Sequence, residues 1–247
     1  MRILIIGATG NSGLALTKAA LSRGLDVTTY VRSAGKLQAL LAQDQPPRLT
    51  IRTGTLADHT ALTSAMAGQD AVINAAGNAT IDLDFVPMVH SVIALAEDAL
   101  GANGRLWLFG GAAALDVPGF GVRAADLPMI PKVYKQHVNT LARVSTTSLD
   151  WSMLCPGPMI SSPSGEAMEG LRVSADYWPV EAPKPRGFLR TLRILKAFRQ
   201  RMPEMIVTYE DAASVILDNL AQDGPFSRKR VGLALPPGQS GTKLGSF

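Results

Sequence analysis

Residues Met1–Gly13 read MRILIIGATGNSG, a short apolar run followed by three glycines at a fixed interval. Ile3, Leu4, Ile5 and Ile6 suit a strand buried on both faces of a parallel sheet. Gly7 lets the chain leave that strand tightly, and Gly10 lets the backbone approach a pyrophosphate that a Cβ would push away. Gly13 lets the next helix pack closely on the strand. Asn11 and Ser12 stand at the start of that helix, where unpaired amide N–H groups and the helix dipole attract anions. Together these features make a phosphate cradle, with Gly7, Thr9, Gly10, Asn11, Ser12 and Gly13 as candidate contacts to a dinucleotide. An ordinary glycine turn is the plainer alternative.

The next elements bear on which dinucleotide. A helix is expected over 14–23, ended by Gly24, and a second strand over 27–31. An acidic residue at the end of that strand would accept from a ribose 2′-hydroxyl, whereas an arginine suits a 2′-phosphate. Here the strand ends in Val31-Arg32-Ser33, with Lys36 one turn into the following helix and Asp26 at the wrong end. Arg32 can pair with phosphate in a fork, Ser33 can donate, and Lys36 adds a point charge. NADP(H) is therefore expected over NAD(H).

Composition sets the outer bounds. A chain of 247 residues with 47% hydrophobic and 18% charged residues can form one α/β domain spanning 1–247, a doubly wound, mostly parallel sheet with helices on both faces. The lone Cys155 allows no intrachain disulfide, and neither a secretory signal nor a long apolar run is seen, so a cytoplasmic location is expected. His59, His90 and His137 have no second ligand at metal spacing, and a net charge of +4 decides nothing by itself.

The G-A-T-G-N-S-G spacing resembles the extended and atypical short-chain dehydrogenase/reductases, and most closely their NmrA-like and flavin- and biliverdin-reductase-like NAD(P)H-binding members. The likeness runs over most of the chain. It implies that Gly54-Thr55-Leu56-Ala57-Asp58, after a third strand over 49–53, stands where relatives carry G-D-x-x-D. Thr55 replaces the adenine-reading aspartate, which leaves adenine to the backbone around Leu56, while Asp58 caps a helix running to Met66. Asn74-Ala75-Ala76-Gly77, after a strand over 71–74, resembles the N-A-A-G turn beside the adenosine ribose, so Ala75, Ala76 and Gly77 join the cofactor set; tight strand-end packing would need the same residues. A helix over 84–100 with Asp84 as its cap presents Val89, Val92, Ile93, Ala96 and Leu100 as a core face. A fifth strand over 105–109 runs into Gly110-Gly111-Ala112-Ala113, where active relatives keep a serine that this chain lacks.

The helix expected over 132–144 is where active relatives carry Tyr-x-x-x-Lys. Tyr134 is followed four residues later by Val138. Aligned on Ser148-Leu149-Asp150-Trp151, which leads to Leu154-Cys155-Pro156-Gly157, the lysine place falls on His137 and the tyrosine place on Val133. His137 and Tyr134, three apart, are the candidate proton-donating pair; a surface histidine and a packed tyrosine are the alternative. Gly110 and Pro156 complete the cofactor set, and Cys155 reads as a buried strand cysteine.

Beyond residue 157 the composition shifts. Residues 158–204 are expected to cover the substrate, with Tyr177 and Trp178 as aromatic walls. Between Lys184 and Arg201 there are seven basic residues and no acid, with Phe188, Leu192, Leu195, Phe198 and Met202 on one face. This reads as a solvated face opposite a docked stripe, with a protein partner as an alternative and neither membrane nor nucleic acid expected. A strand over 206–209 starts a capped helix ending near Ala221, in a pattern resembling the family's D-x-A motif; a last strand over 231–235 and a loose tail follow. The functional expectation is an NADPH-dependent reductase of a small unsaturated, carbonyl or flavin-like acceptor. A non-catalytic NADP(H) sensor of the NmrA-like type is the alternative.

Overall fold

The computed structural model describes residues 1–41, 46–77, 84–128, 130–182 and 190–242, with only the backbone of Arg190. Strand and helix alternate through β1 (Arg2–Ile6), α1 (Asn11–Ser22), β2 (Asp26–Val31), α2 (Ala34–Leu41), β3 (Leu49–Thr53) and α3 (His59–Met66). The alternation continues through β4 (Ala71–Asn74), α4 (Phe85–Leu100), β5 (Arg105–Phe109), α5 (Lys135–Val144) and β6 (Asp150–Cys155). Then come β7 (Met159–Ile160), β8 (Arg172–Ala175), α6 (Arg190–Arg201), β9 (Val207–Thr208), α7 (Tyr209–Leu217) and β10 (Lys229–Ala234).

Eight strands form one sheet in the order β3-β2-β1-β4-β5-β6-β10-β8, parallel except for the antiparallel edge strand β8. This is a doubly wound α/β fold. The chain steps outward from β1 to β3 and then returns to β4 on the other side, so a crevice opens at the carboxyl ends of β1 and β4. Register keeps those ends level: Ile6 pairs with both Tyr30 and Asn74, and Asn74 with Leu108.

The apolar run of β1 serves both faces, because successive side chains of a strand alternate. Leu4 and Ile6 join Leu62, Val92, Ile93 and Leu141 in one core; Ile3 and Ile5 join Leu16, Leu37, Trp107 and Ile216 in the other. At the amino ends of the strands, buried Arg105 pairs with Asp150 at 3.2 Å and donates to the Asn219 carbonyl, which also accepts from Trp107 Nε1.

Several elements differ from the sequence reading. Helix α1 starts at Asn11, directly after Gly10. Asp84 stands at the head of α4 but makes no capping bond, whereas Asp58 accepts from Ala61 N, and Thr208 and Asp211 cap α7 reciprocally. Helix α7 ends at Leu217 rather than near Ala221, and β9 pairs with β7 outside the main sheet. Of the expected stripe, Leu195, Phe198 and Met202 pack on the core beside buried Ile194, which was not expected there, while Leu192 is exposed; Phe188, Lys184 and Arg186 lie outside the described residues. The tail is pinned rather than loose as far as it is described, Gly241 N donating to Pro203 O at 2.8 Å.

Candidate functional site

A cleft of about 840 Å³ opens across the carboxyl ends of the strands, with the glycine turn at its centre. The three glycines of that turn are glycine for different reasons. Gly7 has φ +84°, and a Cβ on it would come within 2.8 Å of Ala76 Cα. A Cβ on Gly13 would strike the Gly7 carbonyl. A Cβ on Gly10 would meet only Gly7 O at 3.5 Å, an ordinary contact, and its φ of −86° is open to any residue. The protein itself therefore makes no demand for glycine at 10, and the space above it belongs to the cleft. The first turn of α1 carries no acidic residue, so its free N–H groups face that space with the positive end of the helix dipole. These residues fit a dinucleotide's phosphates. Thr9, Gly10, Asn11 and Ser12 line the cleft, and Gly13 sits behind them.

One end of the cleft is polar and cationic. Arg32 and Lys36 line it, and among the described residues neither is in an ion pair and no carboxylate lines the cleft. Asp26 is paired with Arg48 at 2.8 Å, at the far end of β2. Ser33 does not line the cleft; its Oγ accepts from Lys36 N at 3.2 Å and so heads α2. Leu56, Ala75, Ala76 and Gly77 all line the wall, with Ala76 N donating to Asn74 Oδ1 at 3.1 Å and Gly77 at φ +93° packed under Met88. Sequence reasoning missed Tyr30 here. Its hydroxyl donates to Thr55 O at 3.1 Å, Gly54 is kept bare by that same hydroxyl, and burial with nearby Asp58 raises its pKa.

The other end is apolar. Phe85, Met88 and Val89 from α4 meet Phe109, Gly110, His137, Met159 and Tyr209. The His137 ring stands edge-on to Phe85 at 5.4 Å, and its Nδ1 is buried without a partner among the described residues. Burial lowers its pKa to about 4, so the imidazole is neutral at pH 7. Tyr134 does not reach the cleft. Residues 132–134 form a 3₁₀ turn before α5 begins, and the tyrosine ends 37% exposed, so the expected Tyr134–His137 pair is not assembled. Gly110 leaves room for Met153 and Cys155, either of which a Cβ would meet below 3 Å. Pro156 is buried behind the wall, where its carbonyl accepts from Ala112 N at 2.8 Å. The Cys155 thiol is pushed up to about 12 by burial, which leaves it inert.

Tyr177 and Trp178 are placed elsewhere than the sequence reading put them. They follow edge strand β8, which β10 holds at the far side of the sheet; Tyr177 is 50% exposed and Trp178, at 3%, packs on Phe198. Among the described residues of 158–204, only Met159 lines the cleft. Met159 and Tyr209 were also missed. Their only signal in the sequence is position, one just after the sixth strand and one at the head of a capped helix.

Comparison with known proteins agrees with this geometry. The family model described as NAD(P)H-binding matches residues 7–174. The chain is 33% identical over 231 residues to the uncharacterized protein YwnB of Bacillus subtilis, covering 89% of this chain and 92% of that one. Two solved structures share the fold. A short-chain dehydrogenase/reductase from Veillonella parvula in complex with NADP has TM-score 0.66 and 17% identity, covering 100% of this chain and 99% of that one. ChuY, an anaerobillin reductase from Escherichia coli O157:H7, has TM-score 0.65 and 18% identity, covering 98% and 100%. With a glycine turn open to phosphate and a family match over residues 7–174, more than half of its length, this chain belongs to the NAD(P)H-binding family.

Proposed function

We propose that the chain is an NADPH-dependent reductase acting on a small, uncharged unsaturated, carbonyl or flavin-like acceptor. The observation that carries this is the polarity of one cleft: Arg32 and Lys36 with no carboxylate among the described lining residues at one end, and aromatic and thioether side chains at the other. The cations at the β2 end suit a 2′-phosphate, and the open space over Gly10 suits the linking phosphates. When bound, the reduced nicotinamide supplies the hydride. Phe85, Met88, Phe109 and Met159 exclude water and offer a flat acceptor apolar contact, and catalysis rests on positioning. Neutral His137 can offer a hydrogen bond there; it does not carry a transferable proton at pH 7. In this reading residues 1–247 act as one cofactor-binding domain, and the unpaired, buried Cys155 is in keeping with a cytoplasmic setting.

A second reading, a sensor that binds NADP(H) without turnover, is favoured by one observation: Tyr134 lies outside the cleft and His137 is neutral, so neither expected proton donor is in place. Oxidation of NADPH and NADH with a panel of quinones, flavins and enones separates the two. Turnover faster with NADPH supports the reductase. Tight NADPH binding with no turnover on any acceptor supports the sensor.

A further inference from the structure

Tyr209 opens α7, the helix that packs along α1, and its ring reaches the cleft from the side of Met159, away from Arg32. Its phenol oxygen accepts a hydrogen bond from Asn11 Nδ2 at 3.1 Å. Asn11 is the first residue of α1 and follows Gly10, so the phenol is held at the mouth of the phosphate cradle. A phenol that accepts still has its own proton to give, and among the described residues that O–H has no acceptor. The neighbouring carboxylates are engaged elsewhere. Glu210 accepts from Ser162 N at 2.9 Å, and Asp211 accepts from Thr208 N and Met168 N.

We propose that the Tyr209 hydroxyl is a hydrogen-bond donor to the nicotinamide-side phosphate of the bound dinucleotide, aimed there by Asn11. The proposal rests on the reading of the cleft as a dinucleotide site. An O–H directed at an anion is stronger than one between neutral groups, which gives the contact weight in affinity. It also ties α7 to the ligand, so binding is felt at the junction of α1 with the C-terminal part of the chain.

The test is calorimetric titration of the full chain and of Tyr209→Phe with two probes, NADP⁺ and adenosine 2′,5′-bisphosphate. The second probe carries the 2′-phosphate and the adenosine-side phosphate but not the nicotinamide-side one. Tyr209→Phe keeps the ring and is expected to weaken NADP⁺ about tenfold, a change of about 1.4 kcal/mol, while the fragment's affinity stays within about twofold. Equal loss for both probes would show that Tyr209 only braces α1 against α7. No loss for either would overturn the proposal directly. A wild-type chain that binds neither probe would instead overturn the reading of the cleft, and the proposal with it.

Discussion

A methyl group added at Gly13 would collide with the Gly7 carbonyl, whereas one added at Gly10 would meet that oxygen only at 3.5 Å. The two substitutions should therefore separate folding from binding. Gly13→Ala is expected to lower stability by about 1–3 kcal/mol in a denaturant melt. Gly10→Ala should leave the melt unchanged and weaken NADP(H) by about tenfold or more, because only the ligand meets the new methyl. His137 gives a second prediction at this scale. Its pKa is lowered from 6.5 to about 4 in the folded chain, so the unfolded chain binds a proton that the folded chain resists. The stability this neutral imidazole allows is present above 6.5 and lost as pH falls through about 4, on the order of 3 kcal/mol in all. His137→Gln should flatten the dependence of the urea midpoint on pH across that window, and the wild-type turnover rate should show no step near 6.5 from this group.

Among the elements, those with a single dominant signal were legible. The run Ile3–Ile6 gave β1 and its burial on both faces, the 105–109 strand has the expected bounds, and α4 buries Val89, Val92, Ile93 and Ala96 as expected, with Phe85 added and Leu100 only partly buried. The elements that were not legible depend on partners distant in sequence. Strand β8 is a four-residue RVSA segment made a strand only by β10. The 132–144 segment divides into a 3₁₀ turn after Pro131 and then α5, and Tyr134, at the end of that turn, is not among the residues lining the cleft. Aromatic composition suggested Trp178 as a wall, but only packing reveals that Phe198 covers it. The ion pair that joins β5 to β6 was equally hidden, since Arg105 reads as a surface charge. Asp150→Ala would leave that guanidinium buried with only the Asp150 and Asn219 backbone carbonyls as partners and its charge unbalanced, and should cost about 3–5 kcal/mol by chemical denaturation.

For the whole molecule, the order of the strands converts scattered residues into one cleft. Gly10 follows β1, Arg32 follows β2, Ala76 follows β4 and Gly110 follows β5, and parallel register brings all four to the same edge. The polar end was readable because most of its lining residues follow strand ends; of the apolar end only Gly110 and His137 were, because α4, β7 and α7 supply its other walls from separate stretches. Arg32→Ala should weaken NADPH by about tenfold and leave NADH within about twofold, as expected for a guanidinium that meets only the 2′-phosphate. The most direct measurement of the central claim is the affinity of the unaltered chain for NADPH and for NADH by fluorescence titration at equal ionic strength. Saturable binding of both, with NADPH tighter by about tenfold, is expected if Arg32 and Lys36 meet the 2′-phosphate; equal affinities, a preference for NADH, or binding of neither would contradict that role.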